Sequence, residues 1–362
     1  MTSSTKTCDF NVSRGQRTRD SGQIFICFLS KISFNGMDRF SSNVVQRYHW
    51  ADILTEDDLR YYARGDHEVE EFDIIYPLED GKRSERSLSE SILSTASLKL
   101  SAFNENLHLE LFENPWLVPT DLKIKHMYET SVHEEIVHGK RCHFHGRSMN
   151  HNDSIAVIST CAGIHGLITF DDNEVFIEPL KNVHKSKLPR NVTYNIKQPH
   201  IIYKRRLKEG KIRSCGELKG QGYEKERKRK SIDGIDFEFY VGPKFMEIKL
   251  VLDVAFVTEN SPNPTEYALA LMNIASRRFV DPSLGFPIHL YLVSIVQFHY
   301  TEPFWDYSSL LYTFYSFQIW LNENKIEDDN DPNHWDHGIL LSRCTTLFSP
   351  VTDIFTMRLI FL

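Results

Sequence analysis

Long hydrophobic runs are missing from this chain of 362 residues. No segment approaches the roughly 18 apolar residues that a membrane-spanning helix needs, so we expect no transmembrane segment. A recognisable signal peptide is also missing, because the apolar patch at 24–34 begins far from Met1 and is interrupted by Ser30, Lys31 and Ser33. The six cysteines include no C-x-x-C pair, which excludes a zinc ribbon and a thioredoxin-like redox site.

The histidines lack the spacing of a helical zinc site. The motif H-E-x-x-H places two histidines four residues apart, so that both rings share one face of a helix. No two of the 16 histidines have that spacing. The run His133-Glu134-Glu135-Ile136-Val137-His138 comes nearest, but a separation of five residues rotates the second ring away. We therefore predict no catalytic residues and no zinc ligands of this kind in the chain.

Charge is unevenly distributed along the chain. The formal net charge is −7, yet residues 181–230 hold 17 Lys and Arg against 4 Asp and Glu. Such a block is typical of nucleic-acid binding, of a solvated linker or of a segment that proteases cleave. Closely interleaved aromatic side chains and a structured scaffold are lacking, so we predict a basic linker and no nucleic-acid partner.

Alternating apolar residues predict β-structure after an irregular N-terminus at 1–60, in which only a short helix near 56–62 is expected. The clearest case is a hairpin in which 98–103 is followed by a turn at 104–106 and by Leu107, Leu109 and Leu111, all facing one way. Further strands are expected at 72–76, 155–160, 166–170 and 175–177.

The second half of the chain alternates between strand and helix patterns. A helix is expected over 265–279, because Ala268, Leu271, Ala275 and Phe279 share one face. The other expected elements are strands at 246–253, 288–298 and 338–341 and a helix at 308–322. The fold class that follows is α+β overall, with a β-rich part followed by an α/β part.

Two groups of motifs carry a family resemblance. The first group is L-K-L-S-A-F-x-x-x-L-H-L-E-L, C-H-F-H-G-R-S, A-V-I-S-T-C-A-G-I-H-G-L-I and E-V-F-I-E-P-L, ending at Leu180. The second group is L-M-N-I-A-S-R-R-F-x-D-P-S-L-G and D-P-N-H-W-D-H-G-I-L-L-S-R. Together they resemble the propeptide and catalytic domain of the ADAM-TS metalloproteases, within the adamalysin (reprolysin) branch of the metzincins. The resemblance covers about residues 68–343.

The resemblance implies a division of the chain. A propeptide domain at 68–180 is followed by the basic linker at 181–235 and by the N-terminal half of a truncated metzincin catalytic domain at 236–343. Residues 344–362 form an apolar tail that diverges from the family. We expect the part after residue 235 to be unstable alone, because half a domain leaves apolar surface facing solvent.

Zymogen features are implied around the linker. Cys215 resembles a cysteine switch, in which a thiolate fills the open coordination position of a catalytic zinc ion. The alternative is an ordinary thiol in a linker. The run Arg227-Lys228-Arg229-Lys230 resembles the site at which a proprotein convertase separates propeptide from enzyme.

Oxidation and glycosylation sites are also expected. Cys142 and Cys161 resemble a propeptide disulfide pair, and the alternative is two buried free thiols. Asn152 and Asn191 stand in N-x-S/T sequons. The histidines at 138, 143 and 145 lie close to Cys142, but strand alternation separates His143 and His145 from it, so we expect a surface cluster rather than a metal site.

A calcium site is a further implication of the resemblance. Glu247 and Asp329 match positions that supply calcium ligands in ADAM-TS catalytic domains, and carboxylate oxygens suit this hard cation. The alternative is a solvated acidic loop. Gln318 occupies the place of a family cysteine, so one catalytic-domain disulfide is not expected.

The function implied is that of a secreted, extracellular zinc metalloendopeptidase zymogen that acts on extracellular matrix proteins. Zinc is the implied cofactor, calcium is a possible one, and a proprotein convertase is the expected partner. The missing zinc motif predicts that the chain as written is inactive. The alternative is a non-catalytic inhibitor or chaperone, of propeptide type, for a related metalloprotease.

Overall fold

A computed structural model of the chain describes residues 54, 56–63, 67–75, 78–79, 84–88, 91–171, 173–181, 199–207, 244–284, 286–305, 310–345 and 355–361. Within these ranges the strands form two sheets, and helices cover parts of both. The class is α+β, as predicted. No helix among these residues is long and apolar enough to span a membrane.

The first sheet has ten strands, all paired antiparallel. Its order is β1-β12-β11-β10-β9-β8-β5-β4-β2, with β3 on β4. The bounds are β1 (His67–Ile75), β2 (Leu78–Glu79), β3 (Ser84–Leu88), β4 (Ser91–Ala102), β5 (Glu105–Glu113), β8 (His143–Ser148), β9 (Ile155–Ser159), β10 (His165–Phe170), β11 (Asn173–Pro179) and β12 (His200–Leu207).

The second sheet has six strands in the order β16-β15-β13-β14-β6-β7. Its middle strands are parallel, and hairpin partners β7 and β16 run antiparallel at its two edges. The bounds are β6 (Asp121–Met127), β7 (Val132–His138), β13 (Lys244–Leu252), β14 (Ile288–Phe298), β15 (His337–Thr345) and β16 (Phe355–Phe361).

Among the described residues four helices accompany the sheets, with a short 3-10 turn at Pro282–Leu284. They are α1 (Glu56–Ala63), α2 (Val254–Glu259), α3 (Pro264–Phe279) and α4 (Leu310–Glu323). α2 begins where the Asp253 carboxylate accepts a hydrogen bond from the Phe256 N–H, which satisfies one of the free amide groups of the first turn. α3 begins with Pro264, whose ring suits the first helical position.

Apolar side chains pack on both faces of the second sheet, in two separate clusters. On one face, side chains of β6, β13, β14 and β15 pack against α2 and α3. On the other face, Val251, Val296 and Leu340 pack against Phe304, Phe317 and Trp335. The first sheet buries its own apolar side chains on one face and a smaller cluster against α1 on the other. α3 also contacts β8, β9 and β10, so it connects the two sheets.

The structure confirms the strand and helix patterns expected from alternation and periodicity, and it departs from the expected division of the chain in three places. β12 lies inside the segment expected to be a linker, at 181–235. Its Ile201, Ile202 and Tyr203 are all fully buried, because both faces of this strand are covered, so its apolar residues do not alternate.

The second departure is the hairpin of β6 and β7. It lies within residues 68–180, expected to form a propeptide domain, yet it belongs to the second sheet. The chain leaves the first sheet after β5, forms this hairpin, and returns as β8, which pairs with β5. The third departure is β16, which follows the last expected strand and pairs with β15.

The turn between β4 and β5 also differs from the expected 104–106. Phe103 and Asn104 form it, with φ angles of 53° and 62°, and Ala102 faces Glu105 across it. Two consecutive positive φ angles match the two-residue turns that follow the twist of a hairpin.

Candidate functional site

The two halves of the chain meet along one sheet. β6 from the N-terminal half pairs parallel with β14 from the C-terminal half, from Ser294 opposite Lys123 to Phe298 opposite Met127. Beyond both ends of the pairing, the Leu292 N–H donates to the Leu117 carbonyl at 3.0 Å, and the His299 N–H donates to the Met127 carbonyl at 2.9 Å. The edge of β14 is therefore covered by a strand that precedes it by more than one hundred residues.

A buried asparagine holds another of the contacts between the halves. Asn273 in α3 is fully buried, and its Nδ2 lies 3.3 Å from the Phe144 carbonyl and 3.2 Å from the Ile158 carbonyl. Its Oδ1 accepts a hydrogen bond from Asn114 Nδ2 at 3.1 Å. A buried amide costs free energy unless it is bonded, and here its partners belong to β8, β9 and the segment after β5.

Two histidines of β8 surround this asparagine. His145 lies with its Nε2 3.2 Å from the Asn273 carbonyl, and His143 lies with its Nδ1 2.9 Å from the Ser159 hydroxyl. Burial lowers the pKa of each ring to about 4, with the positive charge of Arg277 adding to the effect at His145. Both are therefore neutral near pH 7 and form part of the packed contact, so the expectation that they lie on the surface is wrong.

Cys142 and Cys161 form a disulfide with their Cα atoms 5.4 Å apart. Together with His143 they are the group of three among the described residues whose ligand atoms already lie within 4.8 Å of one another. The disulfide uses both sulfur atoms, so the arrangement serves as a crosslink next to β8 rather than as a metal site.

Acidic side chains gather where β13 and β15 run side by side. The Glu247 N–H donates to Asp336 Oδ2 at 2.9 Å, and the Asp336 N–H donates to the Glu247 carbonyl at the same distance. His334 lies between two of the carboxylates, with its Nε2 3.0 Å from Asp329 Oδ1 and 3.8 Å from Asp336 Oδ1. The structure thus brings Asp329 to the neighbourhood of Glu247 and adds Asp336, which sequence reasoning missed.

The pKa shifts of this cluster follow its charges. Partial burial and then the Asp336 carboxylate raise the pKa of Glu247. The hydrogen bond to the Ile326 carbonyl, and then the neighbouring carboxylates, raise the pKa of His334. Concentrated negative charge of this kind is relieved by a proton or by a cation.

Several expected site residues lie outside the described ranges. They are Cys215, Asn191 and the basic run at 227–230. Asn152 is described and lies exposed in the turn between β8 and β9. The hydroxyl of its sequon partner Ser154 is bonded to the backbone of that turn at Ser148 and His151.

The run His133–His138 forms β7, not a helix. Side chains five positions apart on a strand point to opposite faces, so these two histidines cannot share a metal ion on one face of this strand.

Sequence reasoning missed Asn273 and Asp336. A signal for Asn273 was present, since a polar amide interrupts the apolar stretch from Ala268 to Ile274 of an otherwise core-facing helix. Asp336 could be found only from the parallel pairing of β13 with β15. In that pairing Ile248 lies opposite His337, so the residues just before them, Glu247 and Asp336, are neighbours.

Comparison with known proteins places these features in a family. Residues 64–148 match the reprolysin family propeptide. The mouse (Mus musculus) protein "A disintegrin and metalloproteinase with thrombospondin motifs 7" is 27% identical over 294 residues, covering 73% of this chain and 17% of that protein. The mouse proteins of the same name numbered 20 and 1 are 24% and 22% identical, covering 56% and 69% of this chain.

The chain spans less than a third of the length of these relatives, namely 12% of the protein numbered 20 and 29% of the one numbered 1. The similarity to the protein numbered 7 covers 73% of the chain and therefore extends well beyond the propeptide match at 64–148. The chain is therefore an ADAM-TS-like reprolysin sequence that carries the family's propeptide and, after it, part of a metalloprotease domain.

Proposed function

We propose that this chain is part of the zymogen of a secreted zinc metalloendopeptidase, namely the part that keeps the enzyme latent. The substrates of that enzyme are extracellular matrix proteins. In this proposal the N-terminal half acts as a propeptide that also serves as a folding template for the metalloprotease strands. The observation that carries it is the parallel pairing of β6 with β14, since the propeptide contributes strands to the sheet of the metalloprotease half.

Apolar side chains of the hairpin are buried in the same cluster as those of the metalloprotease strands. Leu122 and Ile124 of β6 lie in the same apolar cluster as Ile248, Leu290 and Leu292. Fully burying one such side chain stabilises a fold by about 1.5–3 kcal/mol relative to leaving it exposed. Removing the hairpin would expose this cluster and leave the β14 edge unpaired, a condition that favours aggregation.

Zinc chemistry is outside what these residues can supply. The 362 residues contain no H-E-x-x-H-x-x-G-x-x-H motif, so the residues present do not fit a catalytic zinc ion and supply no catalytic step through one. By resemblance, Cys215 is the thiolate that keeps a family enzyme latent, and the run at 227–230 is the convertase site.

Retention of the propeptide after processing tests this proposal. The secreted chain is treated with a proprotein convertase, and the products are separated by gel filtration under native conditions. We expect the two fragments to elute together, because the strand pairing and the Asn273 contacts do not depend on the linker. Fragments that elute separately, each folded, would contradict a template role.

The alternative is a non-catalytic inhibitor or chaperone of a related metalloprotease. One observation bears on it: β14 of this chain already occupies the edge of β6 that such a partner would need. Acting on another molecule would require the hairpin to leave its own sheet. Inhibition of a related ADAM-TS enzyme by the intact, uncleaved chain at a stoichiometric ratio would favour this alternative.

We further propose that Glu247, Asp336 and Asp329 bind calcium. The carboxylates of Asp329 and Asp336 lie 3.0 and 3.8 Å from Nε2 of His334, and Asp336 also accepts a hydrogen bond from the Glu247 N–H. Partial burial and then the Asp336 carboxylate raise the pKa of Glu247, and a cation would relieve the second of these effects. Calcium takes about six to eight oxygen ligands, so backbone carbonyls, other side chains and water must complete the site.

A further inference from the structure

Three histidines come together where the hairpin meets the rest of the second sheet. His126 near the end of β6 lies directly opposite His133 of β7. His299 follows the last residue of β14, and its Nε2 lies 2.9 Å from Nδ1 of His126. The ring centroids are 5.2 Å apart for His126 and His299 and 6.0 Å apart for His126 and His133. Three adjacent segments thus present imidazoles to one region of the surface.

A carboxylate fixes which nitrogen of His126 is available. Glu135 Oε1 lies 3.1 Å from Nε2 of His126, and a carboxylate accepts but cannot donate a hydrogen bond. In the neutral ring Nε2 therefore carries the proton, and Nδ1 faces His299 with its lone pair. Histidines that ligate metals are oriented in this way, by a carboxylate that accepts from the second ring nitrogen.

We propose that His126 and His299, joined by His133, bind a divalent transition-metal ion, with zinc as the best candidate. Zinc–nitrogen bonds of about 2.0–2.1 Å at a tetrahedral angle place two ligand nitrogens about 3.4 Å apart. The two nitrogens at 2.9 Å need to separate by only a few tenths of an ångström. His133 does not yet have a nitrogen within ligand distance of the other two rings, whose nearer centroid is 6.0 Å away. Its side chain is exposed, so the ring must turn toward the ion, and water completes the coordination.

The charge environment suits a cation. Strand alternation directs Lys125 to the opposite face of the hairpin, where it pairs with Glu134 at 2.7 Å. Tyr128 stacks on His299 with the ring centroids 4.6 Å apart, which holds that ring in place.

Such an ion would link the two halves of the chain. Two ligands belong to the propeptide hairpin and one belongs to the end of the β14 strand, so binding stabilises the contact between them. The site is separate from the family's catalytic zinc, whose ligand motif the chain does not contain. It also does not depend on the proposed function, because it concerns binding alone.

The test is titration of the full disulfide-bonded chain with zinc chloride near neutral pH, followed by isothermal calorimetry and by thermal unfolding. We expect saturable binding of one equivalent and a higher midpoint of unfolding. His126→Gln and His299→Gln should abolish both effects. Glu135→Gln should weaken zinc binding about 10- to 100-fold, because the carboxylate orients His126 without touching the ion.

The matched control is His138→Gln. This histidine lies on β7, the strand that carries His133, but it is exposed and pairs with Asp121. Equal zinc binding by His138→Gln and wild type, with loss in His126→Gln, supports the site. Equal binding by wild type and His126→Gln, or no saturable binding by wild type, overturns it. Should His126→Gln fail to fold, the exposed substitutions Glu135→Gln and His133→Gln give the same decision.

Discussion

Asn273 Nδ2 lies 3.3 Å from the carbonyl oxygen of Phe144. One residue belongs to a helix of the metalloprotease half, and the other belongs to a strand of the propeptide. This bond lies in a fully buried position. It ties the relative placement of the two halves to a polar contact that only one arrangement satisfies.

Replacing Asn273 with alanine should destabilise the whole chain. Carbonyl groups of Phe144 and Ile158 lose a donor, and a buried acceptor left without a partner costs about 1–3 kcal/mol. We expect the free energy of unfolding to fall by about 3 kcal/mol, measured by urea denaturation. Asn324→Ala is the control, because its Nδ2 bonds the Trp320 carbonyl at an exposed position. Similar losses for both variants would contradict the account.

Acidification should weaken the fold through His143 and His145. Their folded-state pKa values of about 4 lie below the ordinary value of 6.5, so the unfolded chain binds more protons between these limits. The contribution of the two neutral rings to the free energy of unfolding is therefore fully present above about pH 6.5. It is lost as the pH falls toward about 4, at about 1.4 kcal/mol for each pH unit and each ring.

The measurement is the urea midpoint at several pH values between about 7 and about 5. His145→Gln should flatten the dependence, since glutamine can donate a hydrogen bond but does not titrate. His138→Gln should leave the dependence unchanged, because that ring is exposed beside Asp121. A wild-type midpoint that does not fall with pH contradicts the buried, neutral state of these rings.

Reduction of the Cys142–Cys161 disulfide should destabilise the propeptide strands. The crosslink spans 19 residues, and the chain-entropy estimate for a loop of this size is about 3 kcal/mol. Urea unfolding with and without reductant measures the difference. In the double variant Cys142→Ser and Cys161→Ser, reductant should have no further effect on this transition. An unchanged wild-type midpoint after complete reduction would show that the bond contributes nothing.

Calcium should raise the thermal stability of the chain. Glu247, Asp336 and Asp329 provide carboxylate oxygens, and binding to the folded state alone stabilises it by mass action. Asp336→Asn should remove most of the calcium-dependent rise in the unfolding midpoint. The control is Asp328→Asn, whose exposed carboxylate accepts from the Asn330 side chain and backbone. A calcium response that survives Asp336→Asn would place the ion elsewhere.

Local patterns in the sequence predicted much of the fold. Leu107, Leu109 and Leu111 alternate with polar residues in β5 and are at most 2% exposed, as a strand with one buried face requires. The helix α3 was likewise predicted from the 3.6-residue periodicity of its apolar side chains. These features depend only on neighbours in the chain.

The sheet partners could not be predicted in this way. The residues of β6 do not indicate whether it pairs with β14 or with β5, because either pairing would bury Leu122 and Ile124. β12 was hidden for a different reason, since its apolar run is short and is followed at once by Lys204, Arg205 and Arg206. The acidic cluster was found only in part, because Asp336 reaches Glu247 through strand pairing.

Native-state hydrogen exchange of the full chain tests the central claim most directly, namely that the propeptide hairpin and the metalloprotease strands fold as one unit. The informative amides are those of Leu292 and His299, which donate to Leu117 and Met127, and those of β6 and β14 between them. If the two parts fold as one unit, these amides exchange with one common free energy of opening, and Asn273→Ala lowers that free energy for both strands together. Fast exchange in β6 with slow exchange in β14 would show that the hairpin opens separately, and that result would contradict the account.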